Sequence, residues 1–425
     1  MRLSKISIQI EPQVYNKYLI TFGFSFLGAL INFFFFRQVY LNIGEDTFYY
    51  YAYSRRVISF LSPVLLMGLG ISLPRAIGHY AGDNKRAKLL FLVSILTLSI
   101  VSLFWFLLNI SFNELLTGFI WGEVNLFTQR LNIAIAVYLI GLNIAAGIHS
   151  YFRGKINALY AGIIDLMVQS ILPLIAFLLL SDLVTIFYSI SAMVIVLNIL
   201  LIYFIFRKIS LNHLKRKHLL KEAGDLLGYG IKRVPGDIFY ALLIFFPAYI
   251  TGQFFNMQLA GVLSFGLSLL TLFNMPATAI SFVTLSRSAT LLVNEKQKLK
   301  TETRSLILIG IAYSILVIIL SYYFMGWFLK LFLDQEFVRY TKILFTILWA
   351  LPMLVVFTVL RSLTDSSYRR AYNSLFIFIA LIIIIVFSIF AIQISNPMLI
   401  IYGNTVAYFI LALLSIIISN KTFKR

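Results

Sequence analysis

The sequence contains no cysteine, which excludes a disulfide framework, a thiolate nucleophile and a cysteine-based metal site. Charge is scarce as well. Asp, Glu, Lys and Arg make up 12% of the residues, against about 25% in a soluble globular chain. Acids are the scarcer kind, 16 against 35 basic residues, and no carboxylate pair or nucleophile–base set stands out, so enzyme chemistry has no evident seat. The four histidines (His79, His149, His213 and His218) show no ligand spacing, and no metal site is expected. Long polar stretches are missing too, which leaves no room for a separate soluble domain.

Apolar residues are what the chain has in plenty: 60% of the sequence, with mean hydropathy +0.93. Apolar runs fall at about 18–36, 47–73, 89–110, 131–150, 157–179, 183–206, 234–255, 258–285, 305–326, 343–360, 373–394 and 398–418. Each is long enough for a membrane helix, which needs roughly 20 residues. The expected fold class is therefore all-α and polytopic, with about twelve transmembrane helices. The first run lacks a small-residue cleavage site, so it reads as a retained span rather than a signal peptide.

A formal charge of +19 would suggest nucleic acid in a soluble protein; here its distribution argues against that. With the N-terminus placed inside, only Arg37, Arg130, Lys330, Arg339 and Lys342 lie outside, and Arg55 and Arg56 lie within the second span. Every other Lys and Arg falls on the inner side, as the positive-inside rule requires. Both termini are thus expected in the cytoplasm, and Trp121 and Trp327 are expected as outer interfacial anchors. The basic segment 207–233 mixes Lys and Arg with leucines, the pattern of an amphipathic helix on the inner face, touching either anionic lipid or a cytoplasmic partner.

Shifting the chain by 212 residues aligns related segments without gaps. Leu73, Arg75, Asp83, Arg86 and Lys88 fall on Leu285, Arg287, Glu295, Lys298 and Lys300, and Arg130 falls on Lys342. The offset spans six helices, so two parallel six-helix lobes are expected: 1–206, the linker 207–233, and 234–425. A substrate site would lie between them.

The segments carrying the repeat, "GLGISLPRAIGHYAGDNKRAKLL" (68–90) and "LFLDQEFVRYTKILFTILWALPMLVVFTVLRSLTDS" (331–366), resemble those of Wzx-type polysaccharide flippases in the multidrug/oligosaccharidyl-lipid/polysaccharide exporter superfamily. That resemblance implies alternating-access transfer of an undecaprenyl-pyrophosphate-linked oligosaccharide across a bacterial cytoplasmic membrane, for O-antigen or other surface polysaccharide. It implies no cofactor beyond coupling to a proton or sodium gradient. Membrane lipids, and a polymerase or glycosyltransferases, would be partners.

Arg55 and Arg56 are the sharpest candidates for binding such a cargo, because an arginine at mid-span costs roughly 2.5–3.5 kcal/mol on insertion scales. Adjacent residues point about 100° apart on a helix, so one of the two is expected at the lobe interface. The competing reading has both snorkel outward or pair with Glu45 and Asp46. Asp165, two turns into the fifth span, is a coupling-ion candidate, or else a partner for Arg153, Lys155 or a cavity arginine. Lys232, Arg233 and Asp237 open the seventh span. Arg233 and Asp237 are spaced to pair, and Pro235 as first helical residue would put Asp237 third. Arg75 and Arg287, equivalent in the repeat, could meet a phosphate at the inner face or serve as ordinary anchors. Among rival readings, a multidrug exporter of the same superfamily would offer acids to an organic cation, whereas span one carries none. A polymerase or ligase would need a large external loop.

Overall fold

The computed structural model describes residues 12–79, 83–155, 157–207, 216–278, 280–281, 296–367 and 372–424; Arg287 lies outside them. All the regular structure among these residues is helical, because an apolar stretch in hydrocarbon must satisfy its own backbone groups. The elements are α1 (Pro12–Ile43), α2 (Glu45–Leu66), α3 (Leu69–His79), α4 (Asn84–Ser111), α5 (Asn113–Trp121), α6 (Leu126–Gly154), α7 (Ala158–Leu166), α8 (Leu172–Leu179), α9 (Leu183–Phe206), α10 (Arg216–Ile231), α11 (Val234–Phe254), α12 (Met257–Phe273), α13 (Lys296–Phe332), α14 (Thr341–Leu348), α15 (Leu351–Ser367), α16 (Tyr372–Ile394) and α17 (Met398–Lys424). Ten stretches are long and apolar enough to cross a membrane; α2 with α3 makes a bent span, and α12 a shorter apolar helix. Together they give the polytopic, two-lobed helical fold expected from the sequence.

Polar residues at the span ends set where helices begin. Asp83 accepts from the amides of Lys85 and Arg86, Asn125 and Thr128 form a reciprocal capping box, and Asp182 accepts from Thr185 N–H. The 212-residue offset shows in one pair of these starts. α2 begins after Gly44 and α12 after Asn256, its repeat equivalent. The first connection is the single residue Gly44 at φ 104°, a conformation that L side chains rarely adopt.

α4, α6 and α9 pack together in the first lobe, and α15, α16 and α17 in the second; α2 packs against both α11 and α12. Without a hydrophobic driving force between helices in lipid, close approach over small residues holds such contacts. Gly261 of α12 lies under Tyr49 of α2, its repeat equivalent, and a Cβ there would sit 2.5 Å from Tyr49 Cα. Gly261→Val is expected to spread the lobes at this crossing and destabilise the protein by about 1–3 kcal/mol. An unchanged thermal midpoint in detergent would contradict the packing.

α2 and α3 meet at a 48° bend, where Met67 (φ 50°) and Gly68 (φ 72°) are left-handed. The end of α10 presses on that bend: a Cβ at Gly68 would fall 2.3 Å from Gly230 O. Within the basic segment, residues 216–231 are helical as expected. Leu226 is buried and α10 packs on α3 and α4, so the helix is seated on the protein as well as being basic.

Candidate functional site

A cavity of about 300 Å³ lies between the lobes, walled by α1, α2, α7 and the turn after it, and α12. Its polar lining includes Asn32, Arg55, Arg56, Asp165, Gln169 and Ser268. Phe24 and Gly28 of α1, Ser59 on α2, Thr271 near the end of α12 and Met275 just beyond it also line it. It therefore occupies the half of the molecule nearer the basic loops.

Both arginines line this cavity, which corrects the expectation that one of the two would reach the interface. They do so in different ways. Arg55 Nη1 donates to Asn32 Oδ1 at 2.9 Å and to Tyr51 Oη at 3.4 Å. Asn32 is itself fixed by donating to Gly28 O (2.8 Å) and Ser170 Oγ (2.9 Å). Arg55 is thus aimed by its own lobe. Arg56 is buried and reaches across to the other lobe. Its Nη2 donates to Ser264 O at 2.9 Å and to Ser268 Oγ at 2.5 Å, and its Nε to Ser264 O at 3.3 Å. Ser268 is the repeat equivalent of Arg56, so these bonds lie close to the pseudo-twofold axis. Neither guanidinium snorkels to Glu45. That carboxylate accepts from Arg339 and Tyr49, so Arg339, read from sequence only as an external cation, is the partner.

Asp165 also lines the cavity and lies within electrostatic reach of Arg153, while Lys155 Nζ donates to Asn84 Oδ1 at 2.9 Å. The span carrying Asp165 changes to a π-helical turn over Met167–Ile171, which swings Gln169 and Ser170 toward α1. Pro173 accounts for it: with no N–H to give the Gln169 carbonyl, the regular ladder cannot continue through this turn.

The remaining sequence candidates lie elsewhere. Arg75 and Arg233 stack on the ring of Tyr229 at 4.3 and 5.5 Å, joining α3, α10 and the start of α11 at the basic end. The Arg233 guanidinium thus faces that ring, and no ion pair between it and Asp237 is found among the described residues. α11 starts at Val234, one residue before Pro235, so Asp237 is its fourth residue rather than the third. Lys232 is exposed. None of these lines the cavity.

The opposite end is closed. Besides the Glu45–Arg339 pair, Gln258 Nε2 lies 3.4 Å from Tyr49 Oη, and Gln253 Nε2 donates to Phe119 O at 2.8 Å. Phe48, Phe265 and Phe337 meet edge-on beneath, with centroids 5.5–5.8 Å apart. Trp121 is buried against Tyr53, not placed as an interfacial anchor, whereas Trp327 is exposed. Of the polar residues inside spans, Asn32 and Gln169 face the cavity. Asn143 and Asn198 tie helices together, and Asn256 caps α12.

No protein-family profile matches the chain, and no curated protein matches it. Solved structures do. An inward-facing multidrug resistance MATE family transporter of the MOP superfamily superposes with TM-score 0.75 at 17% identity, over 93% of this chain and 96% of that one. An outward-facing MATE family transporter gives 0.66 at 15% identity, over 97% and 96%. A MOP superfamily transporter from Pyrococcus furiosus, described as having a binding pocket of reverse polarity that suggests a different function, gives 0.66 at 17%, over 96% and 95%. At these identities the likeness concerns the fold, which is that of the MATE transporters.

Proposed function

We propose that the chain is an alternating-access membrane transporter whose cargo bears negative charge, and that this cargo is a polyprenyl-pyrophosphate-linked oligosaccharide. The observation that carries the reading is the presence of Arg55 and Arg56 against a single carboxylate, Asp165, in one cavity between the lobes. Guanidinium donors suit phosphate oxygens, Asn32 and Gln169 suit sugar hydroxyls, and the polyprenyl tail can stay in lipid. The sealed end opposite the basic loops, together with the higher TM-score to the inward-facing structure, supports a cavity facing the cytoplasm. This reading carries with it a bacterial cytoplasmic membrane, both termini inside, and lobes 1–206 and 234–425 joined by 207–233.

A multidrug or metabolite exporter is the second reading, and the solved neighbours favour it more directly, since two of them are multidrug resistance MATE family transporters. The neighbour of reversed pocket polarity supports the view that this fold accepts cavities of either charge. Leaflet-resolved transfer of a fluorescent polyprenyl-pyrophosphate sugar in reconstituted vesicles separates the two. Transfer of that lipid, without efflux of an organic cation, is expected; the reverse would establish the exporter.

Asp165 is the proposed point of ion coupling. Collapsing the proton or the sodium gradient is expected to slow transport by the natural protein and to have no further effect on Asp165→Asn. Equal sensitivity of the two proteins would remove Asp165 from that role.

A further inference from the structure

Arg55 stands between two spaces. Behind it, inside the first lobe, a second cavity of about 50 Å³ lies among α1, α2, α6, α8 and α9. Its walls are largely apolar, with Phe35 and Phe187 among them, and its polar groups are Tyr51, Arg55, Ser59, Tyr138 and Gln169. Each of these groups carries a hydrogen-bond donor. Arg55 uses Nη1 on Asn32 and Tyr51; among the described residues its Nε and Nη2 have no protein acceptor. The Tyr138 hydroxyl and the Gln169 amide also have no protein partner there. Tyr51 Oη accepts from Arg55, which leaves its own proton to give. Ser59 donates to Arg55 O at 2.7 Å. Among the described residues, the carboxylate in electrostatic reach of Tyr138, Asp165, lines the larger cavity and not this one.

A guanidinium within a span calls for a counter-charge or water, and donors without acceptors call for something that accepts. The space is about that of one or two water molecules, too small for a phosphate ester. We infer that this is a binding site for a monatomic anion of chloride size, held by Arg55 with the hydroxyls of Tyr51 and Tyr138 and the amide of Gln169. The site adjoins the cargo cavity and shares Arg55, Ser59 and Gln169 with it, while Tyr51 and Tyr138 line the small space alone; the inference stands whatever the larger cavity carries. One consequence follows: an anion held here lowers the positive charge that Arg55 presents to the larger cavity.

Thermal unfolding of the purified full chain in detergent, with chloride replaced by gluconate at constant ionic strength, tests the site. A saturable rise of about 2 °C with chloride is expected. It should be lost in Tyr138→Phe, which removes one hydroxyl from the small cavity, and kept in Thr271→Ala, which alters only the larger one. Equal midpoints in the two salts, or a chloride effect that survives Tyr138→Phe, would overturn the inference. Crystals grown in bromide give a check that needs no variant. Anomalous density between Arg55 and Tyr138 supports the site; density confined to the larger cavity, or ordered water alone between those residues, refutes it.

Discussion

Arg55→Ala is expected to weaken transport of a phosphate-bearing cargo by about 10- to 100-fold while the protein still folds. A charge-assisted hydrogen bond contributes about 1.5–3 kcal/mol, and each 1.4 kcal/mol is tenfold in affinity. Folding survives because Arg55 leaves behind Asn32, which keeps its bonds to Gly28 and Ser170, and a cavity that water can enter. Arg56→Ala is expected to behave differently. It removes the cross-lobe bonds to Ser264 and Ser268, so it should lower thermal stability and shift the balance of open and closed states as well as weaken binding. Dose–response of transport and thermal unfolding, measured together on both variants, separate these effects. Matching losses of affinity with no stability difference would show that the two arginines do the same work.

Closing the outer end covalently is expected to stop transport altogether. Glu45 of α2 and Arg339, just before α14, belong to different lobes and are in contact, so alternating access requires them to part. The chain has no cysteine, and Glu45→Cys/Arg339→Cys is therefore the only reactive pair in the double variant. Joining it with a short bismaleimide should abolish transport, while each single variant treated in the same way should retain it. Undiminished transport by the cross-linked double variant would exclude movement of the lobes at this end.

Most of the fold is legible in the sequence because in a membrane the backbone must be helical and the cations must stay on one side. Runs such as 183–206 and 373–394 coincide with α9 and α16 to within a residue. The arginine pair is legible for the same reason, as charge where hydrocarbon permits little. What the sequence hides is direction. Nothing in the adjacency of Arg55 and Arg56 says that one is aimed by Asn32 and the other by a carbonyl 208 residues away. The spacing of Arg233 and Asp237 suggests a pair, yet Tyr229 competes for the guanidinium. Gln169 and Ser170 reach the site through a π turn whose only sequence trace is Pro173. The Glu45–Arg339 contact joins residues 294 apart and leaves no local signal at all.

The central claim, that the inter-lobe cavity receives an anionic lipid headgroup through Arg55, is tested most directly by binding in nanodiscs followed by native mass spectrometry. One molecule of a polyprenyl-pyrophosphate saccharide is expected per protein, displaced by free pyrophosphate and lost in Arg55→Ala. Retention of an organic cation by the natural protein, with no binding of the pyrophosphate lipid, would contradict it.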